Sequence, residues 1–189
     1  MFLRNWKNEL FTIPNMLSLF RLVLIPFYMT IYLRGGYTLA GMVLALSCLT
    51  DLLDGAIARR FHMVTDLGKL LDPLADKATQ LTLTFCLSVR HPILQPVLLM
   101  LVFKETFQLA AGIICLRRGQ MLSGSLLIGK VCTAVLFTTL TLLVLFPELP
   151  GTMVNVLAAA DLAVLSLSFL CYALFFFGRN GRNHFQDMQ

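Results

Sequence analysis

Asp51, Asp54, Asp72 and Asp76 stand close together in a chain whose surrounding segments are strongly apolar. On one apolar segment, Asp51, Asp54, Gly55, Ala58 and Arg59 fall at i, i+3, i+4, i+7 and i+8, which is one face of a helix. On the next, Gly68, Asp72 and Asp76 step by four, again a single face. Carboxylates gathered this way repel one another, and lipid cannot solvate them, so something positive must bind among them. All-oxygen acidic sites take hard cations, Mg2+ or Mn2+, rather than zinc. Four carboxylates suit two such ions, and two ions suit phosphoryl chemistry, where they neutralise charge on the attacking and leaving oxygens. Arg59 adds a planar donor fork for phosphate. Gly55 and Ala58 clear side-chain bulk beside the acidic face, so that a large ligand can approach.

The elements that position these residues are legible as apolar blocks. Of 189 residues, 58% are hydrophobic and 13% charged, against about 45–50% and about 25% in an ordinary soluble domain. Six blocks stand out, roughly Met16–Leu33, Tyr37–Ile57, Gly68–Ser88, Ile93–Leu116, Ile128–Phe146 and Met153–Phe177. Each approaches the ~20 residues a helix needs to cross the hydrocarbon, and barrel strands need only ~10. Breakers separate several of them: Arg34-Gly35-Gly36, His91-Pro92 and Pro147 to Gly151. Ahead of the first block, Phe2, Leu3, Trp6, Leu10 and Phe11 interleave with Arg4, Lys7 and Glu9, the pattern of an amphipathic helix lying in the interface. The expected fold is an all-α integral membrane protein: one domain over residues 1–189, with six transmembrane helices and a short N-terminal interfacial helix. The first block is span-length with no small-x-small site after it, so it reads as a retained span rather than a signal peptide.

The formal net charge is +5, but the basic residues sit at block ends, where they set topology and meet anionic lipid heads. Nucleic acid is not an expected partner. Arg4, Lys7, Arg59, Arg60, Lys69, Arg117, Arg118, Arg179 and Arg182 mark one side, and Arg34 and Arg90 the other. The positive-inside rule places both termini and the Arg59–Asp66 turn in the cytoplasm, with the chain in the cell membrane. Cys48, Cys86, Cys115, Cys132 and Cys171 form no CxxC pair and read as small buried hydrophobes. His62 reads as an interfacial loop residue, and Asp66 as a helix cap. A purely structural ion-pair network is disfavoured, because two basic residues on the acidic faces do not balance four acids. A channel or metal transporter is the alternative of another class, but it would carry its ligands near the bilayer midplane. These acids cluster at one end of two adjacent blocks. Asp161 lies deeper in the sixth block, and the sequence assigns it no role.

The pattern Asp51-x-x-Asp54-Gly55-x-x-Ala58-Arg59, then eight residues, then Gly68-x-x-x-Asp72-x-x-x-Asp76 resembles the signature of the CDP-alcohol phosphatidyltransferase family at every fixed position. Pro14-Asn15, before the first block, is similar to the family's opening. The resemblance implies an enzyme that takes CDP-diacylglycerol and an alcohol, forming a phosphodiester and releasing CMP. By the motif match, Asp51, Asp54, Asp72 and Asp76 would hold Mg2+ or Mn2+, with two ions expected. Asp76 would also act as the base toward the acceptor hydroxyl. Gly55, Ala58, Arg59, Thr65 and Gly68 would hold the CDP-lipid, and the family is commonly homodimeric. The run Gly68-Lys69-Leu70-Leu71-Asp72-Pro73-Leu74-Ala75-Asp76-Lys77 is similar to two branches of the family. One uses glycerol 3-phosphate and forms phosphatidylglycerophosphate; the other uses phosphatidylglycerol and forms cardiolipin. Glycerol 3-phosphate is the acceptor expected here. Members using it often carry Gly-Lys-x-Lys-Thr entering the fifth span, where this chain reads Gly129-Lys130-Val131-Cys132-Thr133, and Arg-Glu in the fourth, where it reads Lys104-Glu105. A dianionic acceptor phosphate wants more than one cation, which Lys130 with Lys104, Arg117 or Arg118 could supply.

Overall fold

The computed structural model describes residues 12–60, 68–117 and 127–186. They form six long helices: α1 (Ile13–Leu33), α2 (Tyr37–Arg60), α3 (Gly68–Arg90), α4 (Gln95–Arg117), α5 (Leu127–Leu145) and α6 (Gly151–Gln186), with a 3-10 turn at Pro92–Leu94 before α4. No strand occurs among the described residues. Each helix covers one of the six apolar blocks, and α6 runs beyond its block. The expected N-terminal interfacial helix lies outside the described residues.

Among the described residues, three helices are long and apolar enough to cross a membrane: Asn15–Leu33, Pro92–Ile114 and Gly151–Leu174. In α2 and α5 the apolar stretches are shorter, Tyr37–Asp51 and Gly129–Leu145, and in α2 the aspartates end the apolar run. Large side chains stand bare on the helices, among them Met42, Leu99, Leu109, Val156, Leu167 and Leu174. Water would not tolerate apolar exposure on this scale, whereas lipid tails solvate it.

The residues divide into two compact units, one through Leu87 with Leu143–Pro147, the other Ser88–Leu142 with the chain from Glu148 onward. In the first, α1 and α2 pack as an antiparallel hairpin. Pro14 sits in the first turn of α1, where its missing N–H costs nothing. The turn closes α1 with the Gly35 amide on the Tyr32 carbonyl (3.0 Å) and the Gly36 amide on the Ile31 carbonyl (3.1 Å). That bonding needs a left-handed residue, and Gly35 supplies it at φ 85°. The Ala40 amide then bonds the Gly36 carbonyl at 2.9 Å and starts α2.

Buried positions on α1 form one stripe, Asn15, Ser18, Arg21, Tyr28 and Tyr32, and on α2 another, Ala40, Leu44, Ser47 and Thr50. Both follow the 3–4 residue spacing of one helix face. Tyr32 stacks on Tyr28 and meets Tyr37 edge-on across the turn, at centroid distances of 5.7 and 5.1 Å. Burying hydroxyls in α2 and α3 is made tolerable by local bonds: Thr50 donates to the Ser47 carbonyl (2.7 Å), Thr79 to that of Ala75 (2.8 Å) and Thr84 to that of Gln80 (2.8 Å).

In the second unit α4 packs on α6, where Phe169 meets Phe103 and Phe107 at 5.1 and 5.2 Å. Val97, Leu101 and Ala111 on α4 are buried, as are Cys132, Leu136 and Leu140 on α5 and Val154, Ala158 and Leu165 on α6. A Cβ at Gly129 would meet the Tyr172 hydroxyl oxygen at 2.5 Å, so glycine there admits a tyrosine ring against the α5 backbone. Cys86 and Cys132 are buried as expected, while Cys48 and Cys171 are half-exposed.

Candidate active site

The hairpin fixes which residues of α1 face the acids. Arg21 lies twelve residues before the end of α1 and Asp51 fourteen after the start of α2, distances of ~18 and ~21 Å along the two axes at 1.5 Å per residue. They therefore meet at the same level. The Arg21 guanidinium is 3% exposed, and its Nη1 reaches both Asp51 Oδ1 and, at 2.8 Å, Asp76 Oδ1. One turn nearer the start of α1, Ser18 donates to Asp72 Oδ1 at 2.5 Å. α1, α2 and α3 thus each contribute to one polar cluster, held by charge-assisted bonds at a point where lipid offers no solvation.

Of the residues singled out from sequence, the structure draws Asp51 and Asp76 onto one nitrogen and ties Asp72 to α1. Gly68 is buried at the start of α3. Asp54, Gly55, Ala58 and Arg59 lie on α2 within the same two turns as Asp51, but their side chains are outside the described set. Thr65 and Arg118 lie outside the described residues, and Arg117 ends α4 with its side chain outside the described set. Lys130 is exposed on α5. Lys104 is buried, with its ammonium on Glu105 Oε1 (2.9 Å) and Gln108 Oε1 (3.2 Å). At the far end of α3, burial and the adjacent Arg90 push His91 below its ordinary value.

The sequence reading did not single out Ser18 or Arg21. Their signal was present: Arg21 is a charge inside the first apolar block, and a lone arginine there is costly unless it faces a partner. Asn15, Ser18 and Arg21 also step by three after Pro14, close enough to one helix face to mark a polar stripe.

The donor set fits a hard cation. Asp51 and Asp76 are near enough to share one positive atom, and their side chains are 46% and 57% exposed, so an ion and a polar ligand can reach them. Oxygen donors of this kind match Mg2+ or Mn2+. Among the described residues no three acidic, histidine or cysteine side chains are gathered tightly enough to ligate a metal by themselves; the carboxylate of Asp54 is not among those described.

Comparison with known proteins agrees with the motif. The model of the family CDP-alcohol phosphatidyltransferase matches residues 11–174. The chain is 32% identical over 172 residues to a CDP-diacylglycerol–glycerol-3-phosphate 3-phosphatidyltransferase of Aquifex aeolicus, covering 86% of this chain and 94% of that protein. It is 35% identical over 144 residues to a cardiolipin synthase (CMP-forming) of Streptomyces coelicolor, covering 73% and 67%. It is also 39% identical over 115 residues to a probable cardiolipin synthase (CMP-forming) of Drosophila melanogaster, covering 59% of this chain but 35% of that one. The match thus spans about a third of the Drosophila protein. With a family match across most of its length, and with Asp51, Asp72 and Asp76 of the motif all bonded to α1, the chain belongs to the CDP-alcohol phosphatidyltransferase family.

Proposed function

We propose that the chain transfers the phosphatidyl group of CDP-diacylglycerol to glycerol 3-phosphate, releasing CMP and forming phosphatidylglycerophosphate. The observation that carries the reaction class is the convergence of motif aspartates from α2 and α3 at a half-open site. The acceptor rests on the Aquifex relative, which this chain matches over nearly the whole of both. Asp51, Asp54, Asp72 and Asp76 would hold two divalent ions, Mg2+ or Mn2+. When bound, these supply neutralisation of the charge carried by the phosphate oxygens. Gly55, Ala58, Arg59, Thr65 and Gly68 take the CDP moiety, with Arg59 as its bidentate partner.

Asp76 accepts the proton of the acceptor hydroxyl. The hydroxyl oxygen bonds to the phosphorus bearing diacylglycerol, the bond from that phosphorus to the bridging oxygen breaks, and CMP leaves with the electron pair. Lys130, with Arg117 and Arg118, is offered to the acceptor phosphate, while Lys104 has its charge taken up by Glu105. The six helices lie in the cell membrane as spans with the acidic end cytoplasmic, by the lysine and arginine asymmetry, and the enzyme works as a homodimer.

A second reading has its own support: phosphatidylglycerol as acceptor, giving cardiolipin. The Streptomyces and Drosophila relatives carry that name, and the second lysine of the glycerophosphate pattern is Cys132 here. The test is one assay. Purified protein with CDP-diacylglycerol and Mg2+ is offered glycerol 3-phosphate or phosphatidylglycerol, and products are identified by mass. Phosphatidylglycerophosphate is expected, cardiolipin alone would shift the assignment to the second reading, and no CMP from either would remove both.

A further inference from the structure

Arg21 is an unusual third party at an acidic site. It comes from α1, outside the motif, yet its buried Nη1 lies between a carboxylate of α2 and one of α3. A divalent ion would bind the same oxygens: a hard cation shared by Asp51 and Asp76 needs oxygens at ~2.0–2.1 Å. A guanidinium nitrogen inserted between those oxygens denies that approach, and two cations at contact repel. Without a cation there, Asp51 and Asp76 would face each other beside Asp72, to which α1 offers the neutral Ser18 hydroxyl at 2.5 Å.

We infer that Arg21 is a positioning residue: a built-in counter-cation that holds α1, α2 and α3 together through Asp51 and Asp76 and must release both carboxylates for a divalent ion to bind. The inference rests on the metal reading of the site given above. It makes Arg21 a competitor of the ion, so the residue sets how tightly metal is held and how stable the metal-free protein is. A residue that merely packed α1 would do neither.

The experiment uses the full chain in detergent, stripped of metal by chelator. Mn2+ is titrated by the resonance signal of the free ion, and thermal unfolding is followed in parallel. Wild type is compared with Arg21→Met, Arg21→Lys and the double variant Arg21→Met with Asp51→Asn. Arg21→Met is expected to bind Mn2+ about tenfold more tightly than wild type, the scale of removing one unit charge near the ion. Metal-free Arg21→Met should melt below metal-free wild type, and either Mn2+ or the added Asp51→Asn should recover the loss. Arg21→Lys, which keeps the charge but loses the fork, should fall between. Unchanged or weaker Mn2+ binding in Arg21→Met overturns the inference while leaving the metal site standing. So does an instability, or a failure to fold, that neither Mn2+ nor Asp51→Asn relieves. If wild type and variants alike bind no Mn2+, the metal reading falls and this inference with it.

Discussion

Among the charges described in the apolar body of this chain, two clusters are settled in opposite ways. In the first unit Arg21 meets Asp51 and Asp76, with Asp72 close by on α3, and the two paired acids keep 46% and 57% of their side chains exposed. In the second, Lys104 pairs with Glu105, with side chains 4% and 11% exposed, and Gln108 accepts a further bond from Lys104. A pair this enclosed, with its charges opposed at 2.9 Å, leaves a ligand little access. An acidic excess left half-open is unstable unless a cation arrives. Intramembrane charge alone therefore does not mark a site. Imbalance together with access does, and on that ground the proposed chemistry is assigned to α2 and α3.

The strongest way to break that contrast is to remove acid from the open cluster. Asp51→Asn or Asp72→Asn is expected to cut turnover by at least about a hundredfold, several kcal/mol of transition-state charge stabilisation being lost with a ligand. Metal-free Asp72→Asn should melt no lower than wild type, since repulsion falls while the amide oxygen can still accept from Ser18. CMP release and a thermal scan check both halves; a variant with full turnover would make the cluster structural. Asp76→Asn sharpens the division of labour. Donor binding with metal should survive, because most ligands remain, while turnover is nearly lost, because an amide accepts no proton. Titration of donor affinity beside turnover reads the split, and recovery of turnover at high metal would leave Asp76 as a ligand only.

The sealed pair should respond in reverse. Glu105→Gln leaves a buried ammonium facing a neutral amide, and a loss of ~3–5 kcal/mol is the usual scale for removing one partner of a buried pair. In protein that still folds, donor affinity should stay near wild type. Lys104→Met tests the other side: it should cost stability with less than a twofold change in acceptor KM. A large KM change at unaltered stability would bring Lys104 into the acceptor site. Smaller again, Gly129→Ala puts a methyl 2.5 Å from the Tyr172 hydroxyl oxygen and 3.1 Å from its ring carbon. The tyrosine must turn away, at ~1–3 kcal/mol for overpacking, seen as a lowered unfolding midpoint with the metal response intact.

Much of this was legible before any fold was known. The described helices start within three residues of the apolar blocks, because backbone in lipid must satisfy its own hydrogen bonds and has little choice but helix. Arg34-Gly35-Gly36 reads as a break, and Gly35 does adopt the left-handed backbone that closes α1. The acidic faces follow from steps of three and four, which are local geometry, and the spacing alone was enough to point to the family. Two readings changed once the helices were in place. The apolar stretches of α2 and α5 are shorter than their blocks suggested, that of α2 because it ends at Asp51. Lys104 looked like a free cation until the fold sealed it against Glu105 and Gln108.

What the sequence determined by itself was the periodic part: which residues share a helix face, which segments lipid can accommodate, and which eight motif positions carry the family's pattern. The tertiary structure decided the partners. Arg21 reaches Asp51 and Asp76, and Ser18 reaches Asp72, across 30 to 55 positions of chain. No period of 3.6 encodes that distance. It is set by the length of α1, by the two glycines that turn the chain back and by the level at which the helices come to lie side by side. Whether a buried charge is spent or available is a property of its neighbours in space, and those are chosen only when the helices pack.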